Sequence, residues 1–177
     1  IRINPDVDAK THPYISTGLK ANKFGVSADA AMDLYRVAQD SLSLRPVGID
    51  CHIGSQLTEI EPFIESVSHL RDLVLALGAQ GIALMHIDIG GGLGIRYDDE
   101  SIPSPKHLIS AVRDQLGDLS MELLIEPGRS IVGNAGALLT QVMVIKAGET
   151  KHFAVVDAAM NDLLRPALYS AWQNIVE

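Results

Sequence analysis

Three short apolar segments alternate along the chain with longer segments of helical periodicity. Each apolar segment is followed by Gly or Pro, which is typical of a parallel strand that is buried on both faces. The predicted strands span residues 47–53, 82–89 and 121–126.

The spacing of apolar residues between the strands predicts three helices. Ser27 is a favoured N-cap residue for the first helix. The second covers residues 59–77 and is predicted to end at Gly78 as its C′ residue, and the third covers residues 105–116. The first helix carries Leu34, Val37 and Ala38; the inward stripe of the second is Phe63, Val67, Leu70, Val74 and Leu77, and that of the third is Leu108, Ile109, Val112 and Leu116.

Strands that alternate with helices of this length indicate βα units and a parallel sheet. A (β/α)8 barrel and an open α/β sheet both fit, and in both folds the carboxyl ends of the strands carry the chemistry. Polar residues stand at all three predicted strand ends, namely His52, Asp88 and Glu126. We therefore expect these side chains to face one site.

The pattern changes after Gly136. Residues 137–147 and 152–157 are rich in β-forming side chains, and a turn is predicted at residues 148–150. This pattern predicts a hairpin at the start of a second, all-β domain. The domain boundary is expected near residues 133–136.

Composition narrows the class of protein. The chain has 177 residues with a formal net charge of −8, which argues against a nucleic-acid or anionic-membrane surface because both need a basic face. Cys51 is the only cysteine, so no internal disulfide is possible and a reducing compartment is expected. No apolar run approaches the roughly 20 residues that a membrane helix needs. The first residue is not Met, and we expect the chain to be an internal piece of a longer protein.

Two glycine-containing motifs follow the first two strands. Residues 90–92 are three consecutive glycines, whose N–H groups can form a nest for phosphate oxygens, although a tight turn without a ligand explains them equally well. His52 is placed to stack on a flat ring, and Ser55 to donate a hydrogen bond to a phosphate. Taken alone, His52 is better explained as a core histidine that bonds to Asp50 or to a backbone carbonyl.

The third strand ends in Glu126-Pro127-Gly128-Arg129. Pro127 favours an extended Glu126, so the carboxylate is fixed at the strand tip, where it can keep a pyridine nitrogen protonated. A surface ion pair between Glu126 and Arg129 is the alternative. Residues 157–169 contain Arg165, and an arginine suits the binding of a carboxylate. The alternative is a loop between domains whose charges are solvated.

Taken together and in order, these motifs resemble the fold-type III decarboxylases that use pyridoxal 5′-phosphate (PLP). The Arg–Tyr loop is similar to that of the diaminopimelate branch, and the resemblance covers essentially the whole chain. One departure is Ala159, where the family usually has Gly. The motifs that carry the resemblance are His52-Ile53-Gly54-Ser55, Asp88 to Gly94, Glu126 to Arg129, Met160 to Tyr169, Ser16-Thr17-Gly18 and Lys23-Phe24-Gly25.

The resemblance implies an α/β fold: the C-terminal half of a PLP-binding (β/α)8 barrel in residues 1–134, then the start of an all-β domain with a substrate loop in residues 135–177. His52 would stack on the PLP ring and Glu126 would pair with the pyridine nitrogen, which makes these two the implied catalytic residues. The implied cofactor contacts are His52, Ser55, Gly91, Gly92, Glu126, Pro127, Gly128 and Arg129.

The implied activity is decarboxylation of meso-diaminopimelate to L-lysine with release of CO2. Arg129, Arg165 and Tyr169 would hold the far end of this substrate. The Schiff-base lysine of the family is expected upstream of this chain. Cys51 is expected to be a buried strand residue rather than the family's catalytic cysteine.

The resemblance also implies a cytoplasmic homodimer with a shared active site, an amino-acid substrate, no metal, and no nucleic-acid or membrane partner.

Three alternatives stay open from the sequence. They are another fold-type III decarboxylase acting on ornithine, arginine or carboxynorspermidine, a non-catalytic PLP-binding module, and a phosphosugar-binding barrel without PLP.

Overall fold

The structure is a computed structural model that describes residues 1–8 and 23–177, so the motif at residues 16–18 lies outside the described residues. Strands and helices alternate through residue 132, and a hairpin and a short helix follow. In chain order the elements are β1 (Arg2–Ile3), α1 (Ala28–Asp40), β2 (Gly48–Cys51), α2 (Glu61–Ala79), β3 (His86–Asp88), α3 (Pro105–Leu116), β4 (Glu122–Leu124), α4 (Arg129–Val132), β5 (Val142–Lys146), β6 (Phe153–Val156) and α5 (Arg165–Tyr169).

The first four strands form one parallel sheet in the order β1-β2-β3-β4, as the alternation of strands and helices predicts. The register aligns Arg2 with Asp50, Asp50 with Asp88, and Asp88 with Leu124. Residues paired in this way lie on the same face of a sheet. One row across the sheet therefore carries three charged side chains.

The sheet does not bury both faces of its strands equally, so that part of the strand prediction is wrong. Ile49 and Cys51 are fully buried, whereas Asp50 and His52 are half-buried. The reason is the two-residue period of a strand, which directs alternate side chains to opposite faces. One face packs in the apolar core, and the other presents polar groups.

Helix α2 forms the centre of that core. Its predicted stripe is confirmed, because Phe63, Val67, Leu70, Val74 and Leu77 are all buried. The helix packs on α3, whose predicted bounds are confirmed. The buried residues of α3 are Leu108, Val112 and Leu116, while Ile109 is only partly buried.

The predicted end of α2 at Gly78 is wrong, because the helix continues through Ala79. The chain turns at Gly81, which has φ = +80°. The Gly81 N–H donates to the Gly78 carbonyl over 3.0 Å and the Ile82 N–H donates to the Leu77 carbonyl over 3.0 Å. This is the bonding pattern of a Schellman C-cap, in which the residue with positive φ is the favoured position for glycine.

Helix α1 begins after Ser27, whose Oγ accepts a hydrogen bond from the Ala30 N–H over 3.3 Å, so the predicted N-cap is confirmed. The residues that α1 buries are Ala31 and Tyr35. Val37 is 63% exposed and lies on the outer face of the helix.

Strands β5 and β6 pair antiparallel, which confirms the predicted hairpin. Most side chains of the hairpin are exposed on both faces. Within the described parts of the chain, no helix combines the length and the apolarity needed to cross a bilayer.

Candidate active site

Three carboxylates meet at the carboxyl ends of β2, β3 and β4. One side-chain oxygen each of Asp50, Asp88 and Glu126 lies within 4.8 Å of the others. The register of the sheet explains this, because Asp50 and Asp88 are paired residues and Glu126 stands two positions after the partner of Asp88. Three such oxygens can coordinate a divalent cation, but acidic clusters are also common without one.

The cluster is electrostatically strained at Asp50. Burial, followed by the charges of Asp88 and Glu126, raises the pKa of Asp50 to about 6, against the opposing effect of Arg2. The Oδ1 atom of Asp50 has no hydrogen-bond partner among the described residues. The site therefore holds more negative charge than its own residues compensate, and a cationic group placed against it would be stabilised.

His52 follows β2 and faces the same edge. Its Nδ1 accepts a hydrogen bond from the Gly91 N–H over 3.1 Å. Burial lowers the pKa of His52, and the positive charge of Arg2 lowers it further, against the opposing effect of Glu126 and Asp88. A neutral ring with an accepting Nδ1 is therefore favoured, and the ring is fixed against the glycine loop.

The glycine loop after β3 fits tightly between its neighbours. A Cβ built on Gly91 would lie 2.1 Å from the Glu126 carbonyl oxygen, and one built on Gly92 would lie 2.3 Å from the Gly54 carbonyl oxygen. Gly92 also has φ = +110°, a conformation that favours glycine. The Glu126 N–H donates to the Gly90 carbonyl over 2.9 Å, so the loop and the Glu126 strand end support each other.

The loop offers fewer free N–H groups than a nest of three glycines suggests. The Gly90 N–H donates to Asp88 over 2.8 Å, the Gly91 N–H donates to His52, and the Gly94 N–H donates to the Leu57 carbonyl over 2.9 Å. Within the described parts of the chain, the Gly92 N–H has no hydrogen-bond partner. It is the loop N–H available for an anion.

Arg129, at the start of α4, reaches back to the loop after β2. Its Nη2 donates to Ser55 Oγ over 3.0 Å, and its Nη1 donates to Gln56 Oε1 over 3.3 Å and to the Tyr97 hydroxyl over 3.2 Å. Glu126, the partner of Arg129 in the alternative prediction, is not among these contacts. The Arg129 cation and the hydroxyl groups of Ser55 and Tyr97 thus lie together beyond the strand ends.

The family model described as "Pyridoxal-dependent decarboxylase, pyridoxal binding domain" matches residues 1–133, three quarters of the chain. The chain belongs to the pyridoxal-dependent decarboxylases.

Two relatives in this family illustrate the similarity. The diaminopimelate decarboxylase of Neisseria meningitidis is 57% identical over 175 residues, which are 99% of this chain and 43% of that protein. The crystal structure of diaminopimelate decarboxylase from Helicobacter pylori complexed with L-lysine matches with a TM-score of 0.94 at 46% identity, over 98% of this chain and 44% of that one. The chain spans about two fifths of the length of the curated relatives it matches.

A more distant solved structure contains PLP. The crystal structure of SrLDC in complex with PLP and cadaverine matches with a TM-score of 0.76 at 27% identity, over 87% of this chain and 41% of that one. The likeness in fold therefore extends beyond the diaminopimelate decarboxylases.

The remaining predicted substrate residues lie on α5. The Arg165 guanidinium lies 5.0 Å from the centroid of the Tyr169 ring. Ala159, the departure from the pattern of these decarboxylases, does not have positive φ, and its N–H donates to Asp162 over 2.8 Å. A methyl group is therefore tolerated at residue 159. The placement of Arg165 and Tyr169 beside a substrate stays a prediction.

Cys51 is fully buried, as expected for a strand residue. Burial raises the pKa of its thiol to about 12, so the thiolate is suppressed at neutral pH.

Sequence reasoning did not assign a site role to four residues that the structure places there: Arg2, Asp50, Gln56 and Tyr97. A signal was present for Asp50, because a charged residue inside an apolar strand, two positions before His52, must share the face of that histidine. No comparable signal marks Gln56 or Tyr97. Their roles depend on contacts with Arg129, which is 73 and 32 residues away.

Proposed function

We propose that the protein is a PLP-dependent decarboxylase that converts meso-diaminopimelate to L-lysine and CO2. The observation that carries the proposal is the separation of charge in the site. Carboxylates cluster at the strand ends, whereas Ser55 and the Gly92 N–H lie on the loops beyond them and Arg129 lies at the start of α4. PLP has the matching polarity, since its ring nitrogen is cationic when protonated and its phosphate is an anion.

The residues present fit this cofactor. A cationic ring nitrogen against Glu126 would relieve the charge that raises the pKa of Asp50. Pro127 favours an extended Glu126, and the bond from the Glu126 N–H to Gly90 holds that strand end in place. On the phosphate side, Ser55 and the backbone of Gly92, Gly128 and Arg129 would surround the anion, which leaves the Arg129 side chain for the substrate. Gly91 supports the site through its close packing on Glu126, because any side chain there would displace the strand end.

Each residue has a defined task in the proposed reaction. When bound, PLP accepts the electron pair that is left as the substrate carboxylate departs as CO2. Glu126 holds the proton on the pyridine nitrogen, and neutral His52, fixed by Gly91, covers one face of the ring. Arg129, Arg165 and Tyr169 bind the far-end carboxylate, which a simple diamine precursor lacks.

The substrate assignment rests on the relatives and on Arg129 and Arg165, two arginines that suit carboxylate binding. The relatives at 55–57% identity over 99% of this chain are named diaminopimelate decarboxylases. Purified full-length protein with PLP should release CO2 from meso-diaminopimelate and form L-lysine. It should process ornithine, arginine and carboxynorspermidine at least ~100-fold less efficiently, since a buried site built for a charged group rejects substrates without it. Preferred turnover of ornithine or arginine, or turnover of none of these substrates, would contradict the proposal.

The role of Glu126 has its own test. Glu126→Gln in the full-length protein removes the charge that holds the ring proton, and we expect kcat to fall by ~100-fold or more while PLP affinity falls much less. Glu122→Gln is the matched control, because Glu122 is an exposed residue at the opposite end of the same strand. The assigned role is wrong if Glu126→Gln retains wild-type turnover.

We further propose that β1 to β4 belong to a (β/α)8 barrel that extends through residue 134, and that residues 135–177 begin an all-β domain with the substrate loop. Four parallel strands in sequential order are the connectivity of such a barrel. A cytoplasmic homodimer with a shared site belongs to the same proposal. Light scattering of the full-length protein tests the dimer, and a monomeric mass for active enzyme would contradict it.

A further inference from the structure

Gln56 adopts a backbone conformation that is unusual for its residue type. Its φ is +59°, a left-handed conformation that is unfavourable for a residue other than glycine. The side-chain amide is bonded on both sides to Ile95: its Nε2 donates to the Ile95 carbonyl over 2.6 Å, and its Oε1 accepts from the Ile95 N–H over 3.1 Å. Tertiary contacts therefore hold Gln56 in this conformation.

These bonds join the loop after β2 to the loop after β3. The backbone continues the connection, because the Leu57 N–H donates to the Gly92 carbonyl over 2.9 Å and the Gly94 N–H donates to the Leu57 carbonyl over 2.9 Å. The Gln56 amide thus belongs to a fixed frame. Its Oε1 has a second lone pair, which accepts from Arg129 Nη1 over 3.3 Å.

Tyr97 holds the same guanidinium nitrogen from the other loop. Its hydroxyl accepts from Arg129 Nη1 over 3.2 Å, and its ring centroid lies 5.9 Å from Arg129 Cζ. The turn that carries Tyr97 is fixed by Glu100, whose Oε2 accepts from the Tyr97 N–H over 3.0 Å and from the Asp98 N–H over 2.8 Å.

Arg129 keeps unused donors after these contacts. A guanidinium has five N–H groups. Three of them are used by Ser55, Gln56 and Tyr97, and within the described parts of the chain the other two have no partner. Two donors on one planar group can bind a carboxylate at both oxygens.

We propose that Gln56 and Tyr97 are positioning residues: they hold Nη1 of Arg129 so that its two remaining N–H groups face the far-end carboxylate of the amino-acid substrate. The inference rests on the proposed function. Its physical basis is preorganisation, since an arginine that is already fixed loses less side-chain entropy when it binds. Gln56 and Tyr97 themselves do not touch the reacting atoms.

The test compares two ligands of the full-length enzyme loaded with PLP. L-Lysine retains the far-end carboxylate of diaminopimelate, whereas cadaverine lacks it. Inhibition constants for both are measured on wild type and on two variants, along with kcat and PLP affinity. Tyr97→Phe removes only the hydroxyl group. Gln56→Asn keeps an amide and tolerates positive φ, but its shorter side chain does not span the distance to Ile95 and Arg129.

We expect each variant to weaken L-lysine binding by ~10-fold, the effect of one hydrogen bond to a charged group, and to change cadaverine binding by less than about twofold. KM for diaminopimelate should rise while kcat and PLP affinity stay within about threefold. Gln80→Asn is the matched control, because the exposed Gln80 also accepts from an arginine, Arg36, over 2.9 Å, and it should change neither inhibition constant.

Two patterns would overturn the inference alone. In the first, wild type prefers L-lysine and both variants keep that preference. In the second, both variants weaken L-lysine and cadaverine equally and lose PLP, which would indicate a purely structural role for the two loops. A failure of the proposed function is distinguished in wild type: the enzyme would then not turn over diaminopimelate, or would bind L-lysine no better than cadaverine, and the inference would fall with it.

Discussion

Replacing Asp50 by Asn should stabilise the PLP-free protein at neutral pH and lose much of that effect in acid. Burial, Asp88 and Glu126 raise the pKa of Asp50 from 3.8 to about 6 in the folded state. The folded protein therefore binds more protons than the unfolded chain between about pH 4 and pH 6. Because stability falls with rising pH wherever the folded state binds more protons, the cost of the Asp50 charge is complete only above about pH 6.

The magnitude follows from the shift. A pKa difference of about two units corresponds to ~3 kcal/mol in the free energy of unfolding at pH 7.5, at about 1.4 kcal/mol per unit. Asp50 is only half-buried, so solvent screening reduces the expected gain for Asp50→Asn to ~1–2 kcal/mol. By linkage, the gain should be roughly half as large at pH 5 and ~0.3 kcal/mol at pH 4.

The assay is urea unfolding of the PLP-free full-length protein between pH 4 and pH 8, comparing wild type, Asp50→Asn and a control. Asp33→Asn is the control, since Asp33 is exposed on α1 and pairs with Arg36 over 2.9 Å. It should change stability by less than ~0.5 kcal/mol without a pH trend. If Asp50→Asn lowers stability at pH 7.5, or gives the same gain at every pH, then Asp50 does not carry the unfavourable charge.

Two further predictions concern packing and capping, and both are measured by urea unfolding at pH 7.5. Gly91→Ala should cost ~1–3 kcal/mol and weaken PLP binding, because the added methyl group meets the Glu126 carbonyl. A methyl group at Gly78 on helix α2 meets nothing within 4 Å, so Gly78→Ala should instead gain ~0.5–1 kcal/mol. Equal effects of the two substitutions would contradict the close approach at Gly91. Ser104→Ala should cost ~1 kcal/mol, because Ser104 Oγ accepts from the His107 N–H over 3.1 Å at the start of α3, and no loss would mean that this cap adds nothing.

The fold explains how charged residues from different elements come together in one site. Carboxylates on three neighbouring strands are close only because parallel strands end at one edge of the sheet. Helices on the other face supply the apolar packing that fixes those strands, through residues such as Val67 and Leu70. The same fold thus buries one face of the sheet for stability and leaves the other face for chemistry.

Much of the fold was predictable because helices and strands have their own periods. The α2 stripe from Phe63 to Leu77 repeats every three to four residues, and the bounds of α3 follow from its Pro, its apolar spacing and the glycine behind it. The end of α2 was not predictable in this way. Gly78 and Gly81 both allow a helix to end, and the choice of Gly81 depends on the turn into Ile82, which is buried in the core.

The sequence by itself determined the parallel α/β fold and the positions of His52, Asp88 and Glu126 at strand ends. Both depend on the periodicity of apolar residues and the spacing of glycines, which involve only residues that are close together in the sequence. Only the tertiary structure decided that Asp50 joins the two other carboxylates and that Gln56 and Tyr97 hold Arg129. The physical reason is sequence distance. These contacts join residues that are 32 to 76 positions apart, and they depend on strand register and loop closure, which no local pattern specifies.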